Sequence, residues 1–295
     1  MSEAVVVVVG SINADIIAAV PERATEGKTV LASGAVRRSG GKGANQAAAA
    51  ARGGAVTQMI AAVGNDAEGQ AQLAELERDG VDVSRVQIVP GVPTGLAFIT
   101  VTPNGENSIT VVPGANATVD AQGVIDTLER GTRPALIVLQ TEIEASVVDA
   151  VTAWADDHTV RVVLNDGPII PLADRTLACA DPLVVNEHEA AELCVARGVT
   201  IGEEQALDVS RATGARSVVV TMGAQGSQVT DGASVLVIPA QRASTVRDTT
   251  GAGDTFLGTL AAVLAAGEDL PEAVHQASIA AAESVAWSGA RPPRD

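Results

Sequence analysis

The chain has 295 residues, with 36 acidic against 19 basic side chains, a formal net charge of −17, and two Phe, two Trp and no Tyr. Hydrophobic residues make up 46% of it, too apolar for a disordered chain and enough to bury the core of one large or two modest domains. The acidity and the scarcity of aromatics exclude nucleic acid and anionic membranes as partners, since both require basic surface to neutralise phosphate.

The first predicted element is the strand Val5–Val9. It follows Glu3 and ends at Gly10-Ser11, so it has neither the basic flank of a signal peptide nor the length to span a bilayer, and a cytoplasmic location is expected. The stretch Asp15–Ser39 carries no helical pattern. Further unbroken apolar runs lie at Met59–Val63, Leu136–Leu139, Val160–Leu164, Leu183–Val185 and Ser217–Thr221, as suits strands buried on both faces. Between them, Asn45–Arg52, Ala67–Asp79, Ala121–Arg130, Ser146–Ala155 and Glu187–Ala196 have helical length and pattern. This alternation predicts an α/β fold, a doubly wound and mainly parallel sheet with helices on both faces. One segment departs from it: Leu96–Thr102 and Asn107–Val112 alternate like half-buried strands around the turn residues Pro103-Asn104-Gly105-Glu106, which predicts a β-hairpin. With Asp15–Ser39 it would form a small satellite sheet, a candidate lid.

Three motif look-alikes fail on spacing. Gly27-Lys28-Thr29 has Glu22 where a phosphate-binding loop needs Gly, and no helix follows. His188-Glu189-Ala190-Ala191-Glu192 lacks the second histidine of a zinc helix. Gly251-Ala252-Gly253 has no third glycine at dinucleotide spacing. Cys179 and Cys194 show no metal spacing and read as buried or free thiols.

Four clusters carry chemistry. Asp248-Thr249-Thr250-Gly251-Ala252-Gly253-Asp254 opens a stretch in which Phe256, Leu260, Val263 and Leu264 recur at helical spacing before Gly267. Its glycines therefore sit at a helix N-terminus, where free amides and the positive dipole end bind anions. Asp254 in the first turn could take a proton from an attacking hydroxyl, or could simply complement the dipole. Ser39-Gly40-Gly41-Lys42-Gly43-Ala44-Asn45-Gln46 sets three glycines around a lysine, as close backbone approach to a ligand requires. Gly10-Ser11-Ile12-Asn13-Ala14-Asp15 lies at a strand's carboxyl end, where ligands of open sheets bind; Asn13 and Asp15 suit hydroxyl recognition or ordinary turn formation. Asn186-Glu187-His188-Glu189 offers hard oxygen ligands that suit Mg²⁺, and equally a helix capping box.

Together these segments resemble the PfkB, or ribokinase-like, carbohydrate kinases. Asp248–Phe256 is similar to the family's C-terminal signature, Gly40–Gln46 to its N-terminal one, and Asn186–Glu189 to its N-x-x-E motif. Gly10–Asp15, Glu106-Asn107 with Gly114-Ala115-Asn116, and Leu139-Gln140-Thr141-Glu142 resemble the ribose-phosphorylating members. The matches run in the family's order from about residue 5 to residue 290. In Asn165-Asp166-Gly167-Pro168 the chain departs from the family's usual N-P-A-P.

The resemblance implies one ribokinase-like domain over residues 1–295, with a lid formed by about 13–39 and 94–113. It implies an ATP-dependent sugar kinase, first of D-ribose at its 5-hydroxyl. The alternatives are a kinase for deoxyribose, a ketohexose or a nucleoside, and a non-catalytic sugar-binding protein on the same fold. Asp254 would be the general base, with Gly251, Ala252 and Gly253 as the anion hole. Asn13, Asp15, Gly41, Lys42, Asn45 and Glu142 would hold the sugar. Asn186, Thr221, Gly223, Gly226 and Gly253 would face ATP. Asn186 and Glu189 would hold Mg²⁺ through water. Asp248, Thr250, Ser284, Trp287 and Gly289 would bind a monovalent cation, K⁺. The lid would also mediate a homodimer.

Overall fold

The structure, a computed structural model, describes residues 4–103 and 107–292. The middle of the turn expected at 103–106, with Glu106, lies outside the described residues.

Nine strands form the main sheet: β1 (Val5–Val9), β4 (Val56–Gly64), β5 (Val81–Val89), β8 (Leu136–Gln140), β9 (Arg161–Asn165), β10 (Leu183–Asn186), β11 (Val218–Thr221), β12 (Ser227–Thr230) and β13 (Val235–Ile238). Their order is β13-β12-β11-β10-β9-β8-β1-β4-β5, parallel from β11 to β5, with β12 and β13 antiparallel at one edge. The valine run of β1 explains its central place. Val7 and Val9 point into one apolar cluster, with Val124, Val147, Val151 and Leu193, while Val6 and Val8 point into the other, with Ala47, Leu76, Phe256 and Leu260. Both faces are covered, so both alternating sets are apolar.

The helices divide accordingly. α3 (Ala121–Arg130), α4 (Ala145–Asp157), α6 (Glu187–Ala196) and α7 (Gln205–Thr213) cover the first cluster. α1 (Lys42–Arg52), α2 (Ala67–Arg78), α8 (Ala252–Ala265) and α9 (Leu270–Ser284) cover the second. A short helix, α5 (Asp174–Cys179), precedes β10. The packing of α1 on α8 matters most for the site. A Cβ on Gly258 would fall against the Gln46 carbonyl and the Ala49 methyl, so the glycine of α8 and the alanines of α1 let the two backbones approach closely.

A separate four-stranded sheet has the order β3-β2-β6-β7, from β2 (Asn13–Ala19), β3 (Gly34–Gly40), β6 (Gly95–Val101) and β7 (Asn107–Val112). β2 pairs parallel with β6, and the two outer pairs are antiparallel. Its outer strands are exposed, including Val36, Ile109, Val111 and Val112.

The strands β5, β12 and β13 and the helices α5, α7 and α9 escape the sequence reading. β5 and β12 mix polar with apolar residues and lack the unbroken apolar run of the central strands, while the four apolar residues of β13 form a short run at the sheet edge, where two of them are exposed. No helix of the described residues is long and apolar enough to cross a membrane.

Candidate active site

The carboxyl ends of β1, β8, β9 and β10 meet the N-termini of α1 and α8. Two tight approaches make this possible. Gly41, the N-cap of α1, has φ +86°, and a Cβ there would lie 2.7 Å from the Asn13 amide nitrogen. A Cβ on Gly43 would lie 2.7 Å from the Ser11 nitrogen. The glycine-rich loop therefore docks α1 onto the β1–β2 turn, and the Ala44 amide donates to the Ser11 carbonyl at 2.9 Å.

On one side stands a network of side chains. Asn13 Oδ1 accepts from Asn116 Nδ2 at 2.7 Å, while Asn116 Oδ1 accepts from the Ile12 amide at 2.9 Å. Glu142 Oε2 accepts from the Ser11 hydroxyl at 2.6 Å and from the Lys42 amide at 3.1 Å. The Asp15 carboxylate lies over Gly40, where a Cβ would collide with it, and among the described residues its buried Oδ1 has no hydrogen-bond donor. Burial, then the neighbouring carboxylates Glu142 and Asp254, push the Asp15 carboxyl up to about 7, against the opposing pull of the Arg291 guanidinium. For Lys42 the balance reverses: burial acts to lower its ammonium, but Asp254, Glu142 and Glu189 outweigh that and hold it above its ordinary value.

Asp254 sits in the first turn of α8, 9% exposed, with Asn45 Nδ2 donating to Oδ2 at 2.9 Å and Gln46 Nε2 donating to Oδ1 at 3.0 Å. Gln46 in turn donates to Asn165 Oδ1 at 3.2 Å. Asn45, expected among the sugar contacts, thus spends its amide largely on Asp254.

On the other side a cavity of about 140 Å³ is lined by Lys42, Asn186, Glu189, Thr221, Gly251, Gly253 and Asp254, among others. Gly251 caps α8 at φ +75°, and a Cβ on it would lie 2.5 Å from Ala290. The Ala252 amide turns back to the Thr249 carbonyl at 3.2 Å, so Gly251 and Gly253, not Ala252, face the cavity. Asn186 and Glu189 form the capping box of α6. Asn186 Oδ1 accepts from the His188 and Glu189 amides, each at 2.9 Å, and Glu189 Oε2 accepts from the Asn186 amide at 2.8 Å. Glu189 Oε1 lies over Gly167. The pair caps the helix and also lines the cavity, so its oxygens are of a kind that could hold a hydrated Mg²⁺. Gly223 and Gly226 lie in the β11–β12 turn, outside this cavity. Gly226 has a packing role as well, since a Cβ there would strike the Ile238 carbonyl.

The group expected around K⁺ also converges. Asp248 Oδ1 accepts from the Thr250 amide at 2.9 Å, and Oδ2 accepts from the Gly289 amide at 2.8 Å. Burial raises the Asp248 carboxyl, but these bonds and Arg38 outweigh it and hold the group below its ordinary range. Asp248, Thr250 and Gly289 are thus brought together, with the Asp248 oxygens between two loops. Ser284 Oγ donates to the Ala281 carbonyl at 2.8 Å, and Trp287 follows in the same turn with its indole nitrogen buried and unpaired.

Sequence reading left out Ser11, Gln46 and Arg291. Ser11 and Gln46 stand inside motifs already singled out. Arg291 had no such signal.

A larger cavity, about 530 Å³, lies between β3, α2 and residues 288–292, and meets this site at Arg291 and, beside Asp248, at Arg38 and Gly289.

Fold and site together define a carbohydrate kinase. The chain matches the pfkB family carbohydrate kinase model over residues 3–295 and belongs to that family. It is 37% identical to the ribokinase of Bacillus subtilis, over 96% of this chain and 94% of that one. It is 32% identical to the deoxyribokinase of Salmonella typhi, over 96% and 93%. Its structure superposes on that of Arabidopsis thaliana ribokinase complexed with ribose and ATP with a TM-score of 0.87, at 32% identity, covering 98% of this chain and 94% of that one.

Proposed function

We propose that this protein is an ATP-dependent sugar kinase that transfers the γ-phosphoryl group of ATP to the 5-hydroxyl of D-ribose. The observation that carries the reading is Asp254. Its carboxylate stands in the first turn of α8, between the Gly251/Gly253 side of the cavity and the side chains of Asp15, Asn45 and Glu142.

Asp15 Oδ1, without a donor among the described residues, is matched to a sugar hydroxyl, and Asn13 and Glu142 stand beside it. Asp254 takes the proton as the hydroxyl oxygen attacks the γ-phosphorus and the bond to the ADP oxygen breaks. The Gly251 and Gly253 backbone and Lys42 stabilise the charge on the phosphoryl oxygens. Mg²⁺, bound through water by Asn186 and Glu189, would supply further neutralisation of the phosphates. Thr221 and the Gly223–Gly226 turn border the nucleotide, and Asp248 with Thr250, Ser284, Trp287 and Gly289 would hold K⁺. The small sheet, formed by about 13–39 and 94–113 of a single domain, closes over the sugar, and its exposed Val36, Ile109 and Val111, which the register places on one face, suit a homodimer contact. A cytoplasmic enzyme fits this chemistry.

A panel of ribose, deoxyribose, fructose and nucleosides assayed by ADP release tests the reading. Ribose is expected to give the highest kcat/KM. Turnover of a nucleoside without turnover of ribose would replace the acceptor, and ribose binding without any ADP release would replace the kinase by a sugar-binding protein.

A further inference from the structure

Arg291 reaches into the site from the turn after α9, and its side chain is only 9% exposed. Its Nε–H donates to Asn45 Oδ1 at 3.2 Å, while Nη1 lies 3.5 Å from Oδ2 of Asp79, the C-cap residue of α2, whose side chain is 5% exposed. Asn45 in turn donates from Nδ2 to Asp254. A guanidinium is a donor only, and an ionised carboxylate an acceptor only. An amide held between the two has one allowed orientation, with its oxygen toward Arg291 and its nitrogen toward Asp254. Burial lowers the Arg291 guanidinium to about 10, so it stays charged at neutral pH.

We propose that Arg291 is a positioning residue for the reaction, acting through Asn45 to fix the direction of the Asp254 carboxylate. The inference rests on Asp254 being the base. Without the guanidinium the Asn45 oxygen loses its anchor, the side chain is free to leave its rotamer, and one of the two donors that aim Asp254 is no longer held in place. Arginine suits the task because its Nε–H can bond Asn45 while the charge at Nη1, on the same rigid plane, pairs with Asp79 at 3.5 Å. A lysine ammonium is a single point and would go to the carboxylate.

The test is kcat and KM for Arg291→Met and Arg291→Lys, each also made in an Asn45→Ala background, with ribose affinity from calorimetry and a thermal melt for every protein. Arg291→Met should lower kcat by about 10- to 100-fold, the scale set by displacing a catalytic group, with ribose affinity within about three-fold. In the Asn45→Ala background the same substitution should change kcat less than about two-fold, since its partner is already gone. A residue that serves only the fold would instead lower stability and affect kcat equally in both backgrounds. Should Arg291→Met fail to fold, Arg291→Lys keeps the charge beside Asp79 and should still lower kcat by about three- to ten-fold. Unchanged kcat in a folded Arg291 variant, or equal effects in both backgrounds, overturns the proposal. Asp254→Asn run alongside separates the failures: if it keeps full turnover, the base assignment is wrong, whatever Arg291 does.

Discussion

Gly251, Gly253 and Asp254 reach the phosphate side of the cavity from a single turn of four residues, whereas Asn13, Asp15, Asn45 and Glu142 reach the sugar side from β2, α1 and the loop after β8. The first half is backbone and glycine at a helix end. It binds charge without shape, as suits a phosphoryl group common to every ATP. The second half is a set of directional side-chain hydrogen bonds, in which Glu142 is already bonded to Ser11 and Lys42, and Asn13 to Asn116. Under the proposed function, choice of sugar would belong to the half that must be assembled over long stretches of chain, and phosphate binding to the half that is contiguous.

The largest expected effect joins the halves. Asp254→Asn should cut kcat by roughly two to four orders of magnitude while leaving ribose and ATP affinity nearly intact, as steady-state rates and calorimetry would measure. Near-normal turnover would remove the base. Asp15→Asn should instead act on the sugar side, raising the ribose KM by about 10- to 150-fold through loss of a hydrogen bond to a charged group, with a smaller change for ATP. Gly253→Ala should act on the phosphate side alone. A Cβ there meets nothing within 4 Å, and the residue lies inside α8, so stability should hold or rise slightly while kcat/KM for ATP falls on the order of 10-fold. Equal losses for ribose and ATP in both variants would erase the division.

A finer effect follows from the Asp15 carboxyl, raised from 3.8 to about 7 in the folded protein. Between these values the folded protein holds a proton that the unfolded chain has released, so this group's contribution to stability falls as pH rises from about 4 to about 7 and stays lost above. Asp15→Asn lifts that penalty. Its gain in Tm over the parent, about 3–6 °C, should appear at pH 8 and fade toward pH 4 in ligand-free thermal melts. With ribose bound by the ionised carboxylate, as proposed, its affinity should drop as pH falls through 7. A Tm gain that grows toward low pH would mean the wrong sign for the shift. The smallest effect is expected from replacing K⁺ by Na⁺, which should lower kcat without abolishing it; equal rates would argue against a cation at Asp248.

The parts legible in advance share a property. Val5–Val9 and Leu136–Leu139 are central strands because both faces are covered, and an unbroken apolar run has no other stable place. The helix from Gly251 is visible because its caps and apolar spacing are local, and the capping box of Asn186 and Glu189 spans only four residues. β5 was hidden because an edge strand need not be apolar throughout. The bond of the Ala252 amide to the Thr249 carbonyl was not legible, because it depends on dihedral angles that residue types alone do not set.

From composition and pattern alone came a layered α/β chain, a strongly acidic protein, and two glycine-rich helix starts able to face an anion, since each depends on composition or on neighbours within a turn or two. Only tertiary structure brought Asn45 to Asp254 across 209 positions and Arg291 to Asn45 across 246. Those contacts exist because Gly258 and the alanines of α1 let two helices pack at backbone distance, and such complementarity belongs to the pair of surfaces, not to either segment of sequence.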